Sequence, residues 1–167
     1  MWISRIVHAS ITGAALAATL VVATARPSAQ EAAVPAAVVI VHPGVQVASL
    51  TLDQFRDVLL GDQQHWQGGA RITVLRPASG VEWATVLARA LRLSPLTYDR
   101  RMANKLYSGE LSALPRLVSS ATEMRRLVAT TPGSVGVIPQ RDIDNSVKVL
   151  RLNGLLPQDA GYPLIAQ

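Results

Sequence analysis

The residues best placed for binding chemistry run from Arg76 through Pro77, Ala78 and Ser79 to Gly80, where an apolar β-rich run gives way to a helical pattern. Backbone N–H groups at the first turn of a helix lack intrahelical partners and carry partial positive charge. Gly80 lets a ligand come close to that backbone, and Ser79 adds a hydroxyl donor. Arg76 adds a planar guanidinium suited to an oxyanion, and the amide of Val81 completes the group. The same residues also fit an ordinary Ser-capped helix with a solvated Arg76, and residue types alone leave both readings open.

Other chemistry has less behind it. After the first thirty residues the chain contains two histidines, His42 at the end of a strand and His65 in a loop, and no cysteine. That excludes a disulfide scaffold, thiol catalysis and a Cys-ligated metal, and we expect neither metal nor cofactor. Asp53 and Asp57 stand one helical turn apart and read as a solvated face. No nucleophile elbow accompanies the serines. Nucleic-acid binding is not expected: three Trp, three Tyr and one Phe are too few for a stacking platform, and the arginines are scattered rather than clustered. Trp83 either covers a cleft or packs on a neighbouring element.

Several elements must position the Arg76–Val81 group. Ala37 to Val41 reads as a buried strand closed by His42-Pro43-Gly44. Thr51 and Gln54 form a capping box, with Leu50 and Phe55 placed as a hydrophobic staple and Gly61 as the helix stop. A polar loop over 62–70 surrounds Trp66, and Arg71 to Leu75 reads as the next strand. Ser79 and Gly80 open a helix with Val81, Ala84, Leu87 and Leu91 on one face. Ser94-Pro95 caps a third helix with Leu96, Ala103 and Leu106 inward. Residues 108–118 read as a loop. Ser120 and Glu123 cap a fourth helix with Met124, Leu127 and Val128 on its apolar side, stopped at Thr131-Pro132-Gly133. Strands follow at Val135 to Ile138 and Val147 to Leu152. Strands alternating with helices predict an α/β domain, a small mixed or parallel sheet flanked by helices. Ligands in such sheets sit outside the carboxyl ends of the strands.

The 167 residues suit one domain after a leader. Arg5, the uncharged run Ile11 to Ala23 and the small residues Ala23-Thr24-Ala25 read as a signal peptide over 1–25, with cleavage between 25 and 30. An uncleaved anchor is the other reading, although the run is short for a span of about 20 residues. Residues 26–36 read as a disordered leader, 37–152 as the domain and 153–167 as a C-terminal tail. Losing Arg5 takes the net charge from +5 to +4. The mature chain is expected in the periplasm, without a membrane span.

The order of these motifs resembles the phosphate-type periplasmic solute-binding proteins of ABC transporters. The resemblance runs over roughly 38–150. It is carried by the strand ending in His42-Pro43, the helix end Val58-Leu59-Leu60-Gly61, the Trp66 loop, Ser79-Gly80-Val81 at the place of the family's Ser-Gly-Thr anion motif, and "SSATEMRRLVATTPGSVGVIP" from Ser119 to Pro139. "LYSGELSALPRLV", Leu106 to Val118, looks like a segment of the short, single-lobe members of the superfamily. The chain departs from the pattern in three ways: Val81 replaces the Thr, the acidic residue usual between the motif's Arg and Ser is missing, and the family's N-terminal lobe is absent. The resemblance implies a single-lobe periplasmic-binding-protein-like fold and a non-enzymatic role. Arg76, Ser79, Gly80 and Val81 would hold a small oxyanion, phosphate-like, with an ABC permease or an envelope protein as partner. The alternative is an envelope interaction module that keeps the fold without the ligand. An exported hydrolase has only Ser79, the two histidines and scattered aspartates in its favour.

Overall fold

The computed structural model describes residues 37–165. The expected signal peptide and leader lie outside the described residues. Five strands form a mixed sheet in the order β4-β3-β5-β1-β6. These are β1 (Ala37–Val41), β3 (Thr73–Pro77), β4 (Arg116–Val118), β5 (Ser134–Pro139) and β6 (Lys148–Val149). Strands β3, β4 and β5 run parallel, while β1 is antiparallel to both of its neighbours, β5 and β6. Two short strands, β2 (Ser49–Leu50) and β7 (Arg151–Leu152), pair in parallel beside it.

All five β1 residues are buried, as expected for a strand covered on both faces. Alternation sends Val39 and Val41 to one side and Val38 and Ile40 to the other. On the first side α1 (Leu52–Leu60) and α3 (Pro95–Tyr107) pack with α2 (Val81–Val86), which continues through a π-turn to Leu91. On the second, α4 (Ala121–Thr130) packs Met124, Leu127 and Val128 against Leu75 and Val118.

The α1 start has the expected form. The Thr51 hydroxyl accepts from the Gln54 amide at 3.1 Å, and the Thr51 amide donates to the Gln54 side chain at 2.9 Å. Leu50 and Phe55 are both buried, and Gly61 ends the helix at φ 71°. Thr51→Ala is expected to lower stability by about 1 kcal/mol, read from a urea midpoint. No change would mean that the side-chain Oδ1 of Asn153, which accepts from the Leu52 amide at 2.9 Å, holds this turn by itself.

Two helices present a different face from the one their periodicity suggested. In α2, Val81 and Ala84 are exposed, and Trp83, Val86, Leu87, Ala90 and Leu91 are buried. Burying a tryptophan removes about 150–250 Å² from water, roughly 4–6 kcal/mol, against about 1.5–3 kcal/mol for a valine. Trp83 therefore sets the rotation. In α3, Leu96 is exposed and Tyr98 and Met102 are inside. The Tyr98 ring meets Trp83 edge to face at 5.2 Å, and its hydroxyl donates to the Leu59 carbonyl at 3.0 Å. Residues 116–118, read as loop, form the short edge strand β4. The single strand expected over 147–152 breaks at Leu150 into β6 and β7, which join different sheets. The expected tail packs: Tyr162 and Leu164 belong to the larger core, and the Ala37 amide donates to the Leu164 carbonyl at 2.9 Å.

Candidate functional site

Three parallel strands deliver their carboxyl ends to one edge of the sheet. After β3 the chain passes Ser79 and Gly80 into α2, and after β4 it passes Ser119 and Ser120 into α4. After β5 it enters a single 3-10 turn at Gln140–Asp142. These exits converge on an open cleft of about 190 Å³, lined by Pro77, Ser79, Ser120, Pro139 and Arg141 with the carboxylates of Glu82 and Asp142. Two helix starts thus face one small polar space, an arrangement that favours an anion.

The two starts differ in what they leave free. At α4 the Ser120 hydroxyl accepts from the Glu123 amide at 3.1 Å, so it is already used as a cap. At α2 no side chain caps the first turn: Ser79 is exposed, and Gly80 is the cap residue at φ 115°. Any other residue would be strained at that φ. An added Cβ would also stand 2.9 Å from the Glu82 carboxylate, which folds back over the helix entrance.

The predicted site residues separate. Ser79 lines the cleft, and Gly80 and Val81 begin the helix beside it, with Val81 half exposed. Arg76 lies elsewhere. Strand alternation places Leu75 in the α4 cluster and turns Arg76 to the opposite face. There its guanidinium pairs with Asp99 at 2.8 Å and lies 5.6 Å from the ring centres of both Trp83 and Tyr98. It is a packed, paired cation of the α2–α3 face. Arg141 and Asp142, which line the cleft 3.9 Å apart, were not singled out in the sequence. The turn after a β5 that was expected to end at Ile138 offered no motif to mark them.

Trp66 and His42 have local partners. The Trp66 ring is buried and its Nε1 donates to the Gly133 carbonyl at 2.9 Å, pegging the 62–70 loop to the start of β5. His42 Nδ1 accepts from the Gly44 amide at 3.0 Å. Among the described residues no three His, Cys, Asp or Glu side chains gather as metal ligands, and no helix is long and apolar enough to cross a membrane.

No protein-family model and no curated protein matches the chain. Solved structures do. An ABC-type phosphate transport receptor from Vibrio cholerae aligns with 74% of this chain and 48% of its own, at 18% identity and TM-score 0.59. PstS from Borrelia burgdorferi aligns over 78% and 54%, at 17% identity and TM-score 0.62. A phosphate binding protein from Stenotrophomonas maltophilia aligns over 74% and 40%, at 14% identity and TM-score 0.51. The chain therefore shares the fold of part of these structures, a mixed sheet flanked by helices of the periplasmic-binding-protein-like kind, and it spans about half the length of the structures it matches.

Proposed function

We propose that the chain is an exported, periplasmic solute-binding-protein-like domain without enzymatic activity, and that its cleft takes a phosphate-like oxyanion. The observation that carries this reading is the convergence of three parallel strand ends and two helix starts on one polar cleft. The Gly80 and Val81 amides and the Ser79 hydroxyl donate to the anion, and Arg141 supplies positive charge. Arg76, paired with Asp99 on the other face, takes no part. Glu82 and Asp142 favour an oxyanion that still carries a proton, because a carboxylate can accept from P–OH and only repels a fully deprotonated anion. Phosphate meets this condition near neutral pH and sulfate does not. Service to an ABC-type permease is the role the shared fold supports.

Calorimetric titration with phosphate and sulfate at matched ionic strength tests the reading. Phosphate is expected to bind in preference to sulfate. Ser79→Ala and Arg141→Ala are each expected to weaken it about tenfold, the order of one charge-assisted hydrogen bond. Arg76→Ala is expected to leave affinity within about twofold, since one such bond is not lost. No heat at millimolar phosphate, or unchanged affinity in Ser79→Ala, would reject the site. A second reading, an envelope interaction module that keeps the fold without the ligand, is favoured by the balance of two carboxylates against one arginine in the cleft. It predicts the silent titration.

A further inference from the structure

A cavity of about 480 Å³ lies away from the oxyanion cleft and shares no lining residue with it. It falls in the range of small-molecule sites, about 300–1,000 Å³. Val58 of α1, Ile72 and Val74 at β3, Met102 of α3, and Leu111 and Leu114 of the 108–115 loop make it apolar. The loop wall is tied in place. The Leu111 amide donates to the Lys105 carbonyl at 3.0 Å, the Gln64 side chain donates to the Glu110 carbonyl at 2.8 Å, and Arg71 bonds the Ser112 hydroxyl. Gly61 lets this wall close, because an added Cβ there would meet the Leu111 side chain at 2.4 Å.

The charge lining the cavity has one sign. Arg71 and Arg116 line it and no carboxylate does. The nearby acids are engaged elsewhere: Asp62 by Lys105 and Arg101, and Glu110 by Lys105 and the Ser108 hydroxyl. Among the described residues neither Arg71 nor Arg116 forms an ion pair. Arg71 keeps further N–H donors beyond its bond to Ser112. An apolar groove, open to solvent where Arg71 and Arg116 stand exposed at its rim, with no carboxylate among its lining residues, complements an apolar body with an anionic head. Guanidinium matches a carboxylate through two parallel hydrogen bonds.

From this geometry we infer that the cavity is a second binding site, for a small apolar monocarboxylate. The apolar body fills the space between α1, α3 and the 108–115 loop, and the carboxylate meets Arg71 and Arg116. The inference does not depend on the oxyanion reading, since neither arginine lines the other cleft.

Titration of the purified protein with decanoate, decanol and decyltrimethylammonium, all below micelle formation, tests it. Decanoate is expected to saturate one site. Decanol is expected to bind about tenfold more weakly, the order of one lost charge-assisted hydrogen bond, and the cation not at all. The Arg71→Ala and Arg116→Ala variants are each expected to weaken decanoate, and Arg116→Ala, which removes no tie of the loop wall, to leave decanol unchanged, with circular dichroism and the thermal midpoint reporting an intact fold. Ala113→Trp, an exposed position on the lining, is expected to block both ligands. Equal affinity for decanoate and decanol, or full decanoate affinity in the Arg71→Ala/Arg116→Ala double variant, would overturn the inference, as would the lack of saturable decanoate binding.

Discussion

Gly133→Ala is expected to destabilise the domain by about 3–5 kcal/mol, at the upper end of single substitutions. Gly133 has φ 75°, and an added Cβ would stand 2.2 Å from the Arg71 carbonyl oxygen. Left-handed backbone alone costs a non-glycine residue about 1–2 kcal/mol. The clash adds more, because its partner is main chain and cannot rotate away. The same residue's carbonyl accepts from the Thr73 amide at 3.2 Å and from Trp66 Nε1 at 2.9 Å. Moving it would loosen the start of the β3–β5 pairing and the Trp66 peg together. Urea unfolding should show a lower midpoint with an unchanged slope. A loss below about 1 kcal/mol would mean that the Thr131–Gly133 turn yields freely and that the Trp66 loop is not anchored there.

The second large effect is alkaline. Burial pushes the Tyr98 hydroxyl up from 10.0 to about 12, with Arg76 opposing the rise and Asp99 adding to it. Burial likewise pushes Tyr162 up to about 12. A raised folded-state value means that the native protein keeps a proton the unfolded chain gives up. The associated stability is fully present below pH 10 and is lost as pH rises from 10 towards 12. At about 1.4 kcal/mol for each pH unit and each group, the two tyrosines together remove about 5 kcal/mol by pH 12. Tyr98→Phe keeps the ring against Trp83. It is expected to cost about 1 kcal/mol at neutral pH for the bond to Leu59, and to remove about half of the alkaline loss. A variant with the wild-type alkaline slope would show that the Tyr98 hydroxyl is not the titrating group.

Those two tyrosines also mark a limit of sequence reading. Tyr162 stands in a segment that reads as a tail, and nothing local announces that its ring closes the core. Tyr98 stands in α3, where Leu96, Ala103 and Leu106 make the more obvious apolar stripe. Pairwise geometry decided otherwise, because Tyr98 and Trp83 meet only once α2 and α3 are packed on the sheet. The cleft divides in the same way. Ser79 and Gly80 were legible as a strand-to-helix junction, since Gly and Ser at that place are local backbone signals. Arg141 and Asp142 reach the cleft only through the pairing of β5 beside β3.

Many features of this fold are decided by neighbouring residues among themselves. The Ala37–Val41 strand, the Thr51–Gln54 capping box, the Gly61 stop, the Ser94 and Ser120 caps and the α4 face all follow from contacts within a few positions. So does the α/β class, which needs only the alternation of such elements. Direction, by contrast, is set only by packing. The antiparallel placement of β1 between β5 and β6 and the rotation of α2 to bury Trp83 depend on partners far away in the chain, as does the turning of Arg76 away from the cleft towards Asp99. In Arg76 the physical reason is plain. A strand alternates its side chains, and which side faces the cleft is fixed only when the sheet acquires its helices.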